Sequence, residues 1–170
     1  MPPNIHPAAL PIENLLADCE VRHLRRSGPG GQHRNKVETA VQLRHLSTDV
    51  RAEANERRSQ AVNHKVAVRR LRVNLALEVR LARRPQESPS PLWRTRVAGG
   101  RISVSAAHAD FPGLLAEALD VIEASEADLK RAAVALGSTA SQIVRFLRKE
   151  PRAMAMFNAW RKERGLPSFH

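Results

Sequence analysis

Hydrophobic positions along the chain switch between strand-like and helix-like spacing. Residues 39–46, Thr-Ala-Val-Gln-Leu-Arg-His-Leu, alternate, with Val41, Leu43 and His45 on one face, and predict a strand. Glu20 to Arg26 alternates in part through Val21 and Leu24 and predicts another. Ser47-Thr48-Asp49 predicts a turn, and Val50 to Ala54 a third, short strand. Ile12, Leu15 and Leu16 share a face of a short helix over 12–18, and an extended arm with Pro2, Pro3, Pro7 and Pro11 precedes it. A long helix is expected from Glu56 to Arg83, which lacks Gly and Pro, with Val62, Val66, Val73 and Leu77 as its apolar stripe.

Past residue 84 the pattern breaks. Pro-Gln-Glu-Ser-Pro-Ser-Pro, residues 85–91, is a linker by composition. Two short strands, Trp93–Val97 and Arg101–Ser105, are expected around a Gly99-Gly100 turn. Four helices should follow, over 112–124, 127–136, 139–149 and from Pro151 to just before Gly165-Leu166-Pro167. The expected fold class is therefore α+β. The expected division is a small domain over 1–84, a linker with a short β-hairpin over 85–110, and a helical extension over 111–170.

Composition narrows the function. The formal net charge is +11, which points to a polyanionic partner. No apolar stretch approaches the ~20 residues of a membrane span, so nucleic acid is favoured over membrane. Aromatics are only 4% with no Tyr, against a strand binder built on stacking platforms. Residues 1–115 hold 19 Lys/Arg against 10 Asp/Glu, and residues 116–170 hold 9 against 7; the contact is expected mainly in the first two thirds. Cys19 is the single cysteine, so no internal disulfide forms and a reducing cytoplasm is the expected location. No secretory signal is read at the N-terminus. The seven histidines show no ligand spacing; no metal and no cofactor are expected.

The chemistry is concentrated in Arg25-Arg26-Ser27-Gly28-Pro29-Gly30-Gly31-Gln32-His33-Arg34-Asn35-Lys36. Three glycines in four positions permit positive φ and close backbone approach. Gln32 carries an amide that both donates and accepts. Arg22, Arg25, Arg26, Arg34 and Lys36 surround it with positive charge. A glycine-tipped loop in a basic collar suits entry into a narrow anionic site. No Gly-Lys-Ser/Thr follows it, so it is not a Walker loop, and its spacing is not a dinucleotide fingerprint. His33 is read as a polar neighbour rather than a proton carrier.

Ser-Gly-Pro-Gly-Gly-Gln-x-x-Asn-Lys-x-x-Thr-Ala-Val, residues 27–41, resembles the catalytic domain of class I peptide chain release factors and the related ribosome-rescue peptidyl-tRNA hydrolases. Glu56-Arg57-Arg58-Ser59-Gln60, followed by Asn63, Ala67 and Leu71, is similar to the start of that family's long helix. The resemblance covers residues 10–84 and implies an α-β-β-β-α arrangement. It implies that Gly30 and Gly31 let the loop fold against large-subunit ribosomal RNA, and that Gln32 positions the attacking water and offers its backbone N–H to the oxyanion. It implies the ribosome and peptidyl-tRNA as partners, and a glutamine methyltransferase acting on Gln32. Ser27, Gly28, Asn35, Ser59, Gln60 and Asn63 are expected to support the loop. Where the family has glycine in the turn after the second strand, this sequence has Asp49.

Arg58, Lys65, Arg69 and Arg72 fall on one side of the expected long helix and are candidate phosphate ligands. Residues 128–147 look like a helix-turn-helix, with Gly137 in the turn and Thr139, Ser141, Gln142 and Arg145 as exposed readers. The expected activity is codon-independent hydrolysis of the peptidyl-tRNA ester in the peptidyl transferase centre, since only about 26 residues precede the loop. Two alternatives stay open: a hydrolase of free peptidyl-tRNA, and a nucleic-acid-binding protein that works through the helix-turn-helix.

Overall fold

A computed structural model describes residues 5–25, 39–84 and 87–169. A 3-10 turn, Pro7–Ala9, leads into α1 (Ile12–Ala17) and then β1 (Cys19–Leu24), β2 (Ala40–His45) and β3 (Arg51–Ala54). The long helix is α2 (Gln60–Glu78). After it come α3 (Pro91–Arg96), β4 (Val97–Ala98), β5 (Arg101–Ile102), α4 (Phe111–Ala124), α5 (Leu129–Ala135), α6 (Ala140–Leu147) and α7 (Pro151–Glu163). The α+β class holds.

The three strands form one antiparallel sheet in chain order, with Val21 opposite Leu43 and Leu43 opposite Ala52. The alternation in β2 is real: Val41, Leu43 and His45 are all buried. The turn between β2 and β3 places Asp49 at φ 60°, a left-handed conformation that a short polar side chain tolerates. Arg44 and Arg51 both bond the Asp49 carboxylate and hold its pKa below the ordinary carboxylate range.

α2 lies on the sheet, and α4 and the Pro7–Ala9 turn cover its other side. This double cover widens the expected apolar stripe: Val73 is buried and Val66 and Leu77 pack against the core, while Val62 is exposed. The other buried positions run through Asn63, Ala67, Leu71 and Leu75, with Val68, Arg72 and Ala76 beside them. A helix buried on two sides has no single stripe to read. α2 is also shorter than expected at both ends. Ser59 caps its start by accepting from the Val62 N–H, and Val79 ends it in extended backbone.

Two further expectations are corrected. The segment after residue 4 is no free arm: Ala8 is fully buried, and the His6 ring bridges the Ala8 N–H and the Val79 carbonyl. Burial lowers the His6 pKa to about 4. Trp93 lies in a helix rather than a strand, because Ser90 caps it through the Trp93 N–H and Pro91 sits at its first position. The Trp93 indole donates to the Leu136 carbonyl at 2.8 Å and packs edge-on against Phe146, which fixes α3 to the α5–α6 corner. The Gly99-Gly100 turn is as expected, with φ of 54° and 78° between the paired Ala98 and Arg101.

Candidate active site

The glycine-rich segment joins two strands that are paired to their ends. Leu24, the last residue of β1, stands opposite Ala40, the first of β2. Residues 25–39 therefore leave and re-enter the sheet at adjacent points of one edge, opposite to the Asp49 turn. Arg26, Ser27, Gly28, Gly30, Gly31, Gln32, Arg34, Asn35 and Lys36 lie outside the described residues. The expectations for them rest on the sequence.

What the structure does describe is the foot of that segment. Asn63 is fully buried one turn into α2. Its Nδ2 donates to the Thr39 carbonyl at 2.7 Å and to the Arg57 carbonyl at 2.8 Å. Its Oδ1 accepts the Arg57 N–H at 3.0 Å. One amide thus ties the residue just before β2 to the chain entering α2. A buried amide with both protons and its oxygen engaged is a rigid clip, since losing any partner strands a polar group. Thr39 and the Arg57 backbone went unnoticed in the sequence. Both are 24 or 6 positions from Asn63, and no local pattern marks a backbone acceptor.

Of the other expected loop supports, Ser59 caps α2 and Gln60 opens it, exposed. Arg22 is exposed on β1 and bonds Glu20 at 3.0 Å; Arg25 is exposed just beyond β1. The basic stripe on α2 is broken. Arg58 precedes the helix and is exposed, as is Lys65. Arg69 is exposed and reaches the Ala106 carbonyl at 2.9 Å. Arg72 is no surface ligand: it is buried, donating to the Ala8 carbonyl at 3.0 Å and the Ala109 carbonyl at 2.7 Å. Its guanidinium gathers the N-terminal turn and the approach to α4 onto α2, and desolvation lowers its pKa. Instead, Arg70 lies outward, tying α2 to the Glu53 carbonyl at 2.7 Å and to the Glu56 carboxylate.

The helix pair α5–α6 is joined through Gly137 at φ 58°. Thr139 caps α6 by accepting from the Gln142 N–H. Gln142 in turn accepts the Ile102 N–H at 3.5 Å, while Ser141 and Arg145 are exposed. Three of the four expected readers, Thr139, Ser141 and Arg145, are exposed, and Gln142 makes a contact within the fold.

The family model for the RF-1 domain matches residues 11–104, from the start of α1 past β5 and more than half of the chain. The chain belongs to the RF-1 domain family. Peptide chain release factor 1 of Xylella fastidiosa (strain 9a5c) is 44% identical over 59 residues, which are 35% of this chain and 16% of that protein. Peptide chain release factor 1 of Acidiphilium cryptum (strain JF-5) is 42% identical over 71 residues, 42% of this chain and 20% of that protein. The chain thus spans a fifth or less of the length of these curated relatives. No solved structure matches. The RF-1 match takes in the three-stranded sheet, α2 and the Asn63 clip, and leaves α4 to α7 outside it.

Proposed function

We propose that this RF-1 domain protein hydrolyses the ester of peptidyl-tRNA in the peptidyl transferase centre of the ribosome, without reading a codon. The observation that carries the reading is the family match over residues 11–104, with Gly30, Gly31 and Gln32 spanning two strand ends that are closed by pairing.

In this reading Gly30 and Gly31 bring the loop backbone against large-subunit RNA, and Gln32 reaches the ester. Water adds to the ester carbonyl carbon. The bond to the ribose 3′ oxygen breaks, and that oxygen leaves with a proton as the peptide acid forms. The Gln32 backbone N–H faces the developing oxyanion and its side chain orients the water. Positioning and preorganised donors supply the rate, with no side-chain nucleophile. Arg22, Arg25, Arg26, Arg34, Lys36, Arg58, Lys65 and Arg69 provide the basic surround. Ser27, Gly28, Asn35, Ser59, Gln60 and Asn63 hold the loop. A methyltransferase acting on Gln32 would tune the same contact.

The test is release of labelled peptide from purified ribosome–peptidyl-tRNA complexes with an empty A site. Wild type releases peptide; Gln32→Ala and Gly31→Ala bind ribosomes but do not. Equal release by all three sinks the loop mechanism. Dependence on one codon in the A site overturns codon independence, and equal hydrolysis without ribosomes favours free peptidyl-tRNA as substrate. The regulator reading, in which the helix-turn-helix reads DNA, has less support, because Gln142 accepts the Ile102 N–H within the fold.

A further inference from the structure

The two edges of the three-stranded sheet differ in what covers them. The His45 N–H donates to the Val50 carbonyl at 2.9 Å. By alternation Ala52 and Ala54 also bond toward β2, and Arg51 and Glu53 present their backbone outward. Side chains of α2 take both outward carbonyls. The Asn74 amide donates to that of Arg51 at 2.8 Å, and the Arg70 guanidinium to that of Glu53 at 2.7 Å. The β3 edge is closed to a further strand.

The β1 edge is left open. The Leu46 N–H donates to the Asp18 carbonyl at 2.9 Å. Glu20, Arg22 and Leu24 therefore bond toward β2, and Cys19, Val21 and His23 turn their N–H and C=O groups away from it. Among the described residues nothing bonds those outer groups. Val21, Arg22 and His23 are exposed. Pairing with β2 is unbroken from Cys19 to Leu24, and the strand holds no Pro or Lys. It lacks the bulge, proline or lysine that commonly blunts an edge.

The outer groups select how two such edges meet. One antiparallel register engages all of them: Val21 opposite Val21, and Cys19 opposite His23. In that register Glu20 of each copy stands opposite Arg22 of the other, and the two-fold symmetry makes the pair twice. In the single chain the Glu20 carboxylate lies 2.9 Å from Arg22 and 4.0 Å from Arg44. Exchanging its own Arg22 for that of the second copy keeps it paired. Glu20 and Arg22 are the one acid and the one arginine of β1, in a chain of net charge +11. A strand whose two charges complement themselves suits its own copy better than a polyanion. Repulsion between the basic chains is largely screened beyond about 8 Å at physiological salt.

We infer that β1 is a self-pairing edge: two copies join antiparallel through Cys19–Leu24 into one continuous sheet, with the Glu20–Arg22 pairs setting the register. Backbone hydrogen bonds and burial of Val21 against its mate supply the affinity. Exposed ion pairs add little to it, but like charges directly opposite are destabilising, so the charges act by excluding other registers. Leu24 of each copy lies opposite Asp18 of the other, and residues 25–39 leave the pair at opposite ends. The inference stands apart from the hydrolase reading and needs no ribosome to test.

The experiment is sedimentation equilibrium of the full chain at physiological salt, over concentrations up to about 1 mM. Wild type should pass from the mass of one chain to twice that mass. Glu20→Arg and Arg22→Glu each place like charges opposite in the self-pair and should weaken it about tenfold or more. Mixed in equal amounts, the two variants again face unlike charges at both positions. They should then pair with each other as wild type does, which a folding defect would not permit. Hydrogen exchange reads the backbone: the Val21 and His23 amides should gain protection as the wild-type concentration rises, while those of Arg22 and Leu24, already bonded to β2, should not change. A wild type that stays at the mass of one chain, single variants that pair as well as wild type, or a mixture no tighter than either variant alone overturns the proposal. Protection of the Val21 and His23 amides by an RNA duplex and not by concentration also overturns it.

Discussion

At the residue scale, two buried polar side chains set local rules that surface chemistry would not. Asn63→Ala leaves the Thr39 and Arg57 carbonyls and the Arg57 N–H without their partner. Each stranded group costs about 1–3 kcal/mol, so the variant should be less stable by several kcal/mol. Asn63→Asp keeps the acceptor and turns a carboxylate toward two carbonyls, which is also unfavourable. In folded protein at low temperature, both should lower the kcat for peptide release more than they raise KM, if the clip positions the loop. A loss of stability with kcat unchanged assigns the clip to folding alone.

His6 sets a pH rule. Its folded pKa is about 4, lowered mainly by burial, against an ordinary value near 6.5. Between those values the unfolded chain binds the proton and the folded chain does not, so stability falls as pH drops through 6.5 toward 4. Asp120 acts oppositely: burial pushes it up to about 6 despite Arg80, so its contribution is present below its unfolded pKa and lost as pH rises through 6. The two offset each other in wild type. His6→Gln keeps a donor for Val79 and removes the proton. The variant should gain stability relative to wild type on acidification from pH 7 to 4, by on the order of 3 kcal/mol. Parallel urea-midpoint curves across that range would refute it.

At the scale of elements, legibility followed the number of faces each element buries. β2 has one buried face, and its alternation through Val41, Leu43 and His45 could be read directly. α2 has two, so its stripe was read too narrowly: Val66, Val73 and Leu77 do pack on the core and Val62 does not, and Arg72 was grouped with the exposed Arg58, Lys65 and Arg69 when it holds Ala8 and Ala109 together. α3 spans six residues, too few for a helical period to show. The glycine-rich loop was legible as a motif because its residues are contiguous. Its clip was not, because Asn63 and Thr39 meet only through the tertiary fold.

Packing of the N-terminal turn is testable at this scale. Gly113 stands in the first turn of α4, where a Cβ would meet the Ala9 Cβ at 3.0 Å, the Ala9 Cα at 3.1 Å and the Leu92 Cδ2 at 3.1 Å. In a free helix, Gly→Ala stabilises by about 1 kcal/mol. With the turn docked, overpacking should reverse the sign and destabilise by about 1–3 kcal/mol. The sign of the change in thermal or urea midpoint decides between a docked and an undocked Pro7–Ala9 turn.

At the scale of the molecule, α2 is the shared wall between the sheet and the helices beyond the RF-1 match. Its sheet side packs on β2 and β3, and α4 covers another side. Arg80 reaches Asp120 at 2.7 Å, Arg72 reaches Ala109, and Arg152 of α7 bonds Asn74 of α2 at 2.9 Å. Unfolding α4 to α7 alone would uncover the core side of α2 and strip the half-buried Arg80 of its Ala116 and Asp120 partners. Both penalties oppose separate unfolding. The full chain should therefore unfold in one cooperative step. Native-state hydrogen exchange resolves this residue by residue: the amides of Val41 and Leu43 in β2 and of Leu119 and Ile122 in α4 should open with the same free energy and the same denaturant dependence. A lower opening free energy for α4, with β2 still protected, would mean that the helical unit detaches while the sheet and α2 persist. The helices beyond the RF-1 match would then move independently of the sheet end from which residues 25–39 leave. With a single opening, that relation is set by the fold.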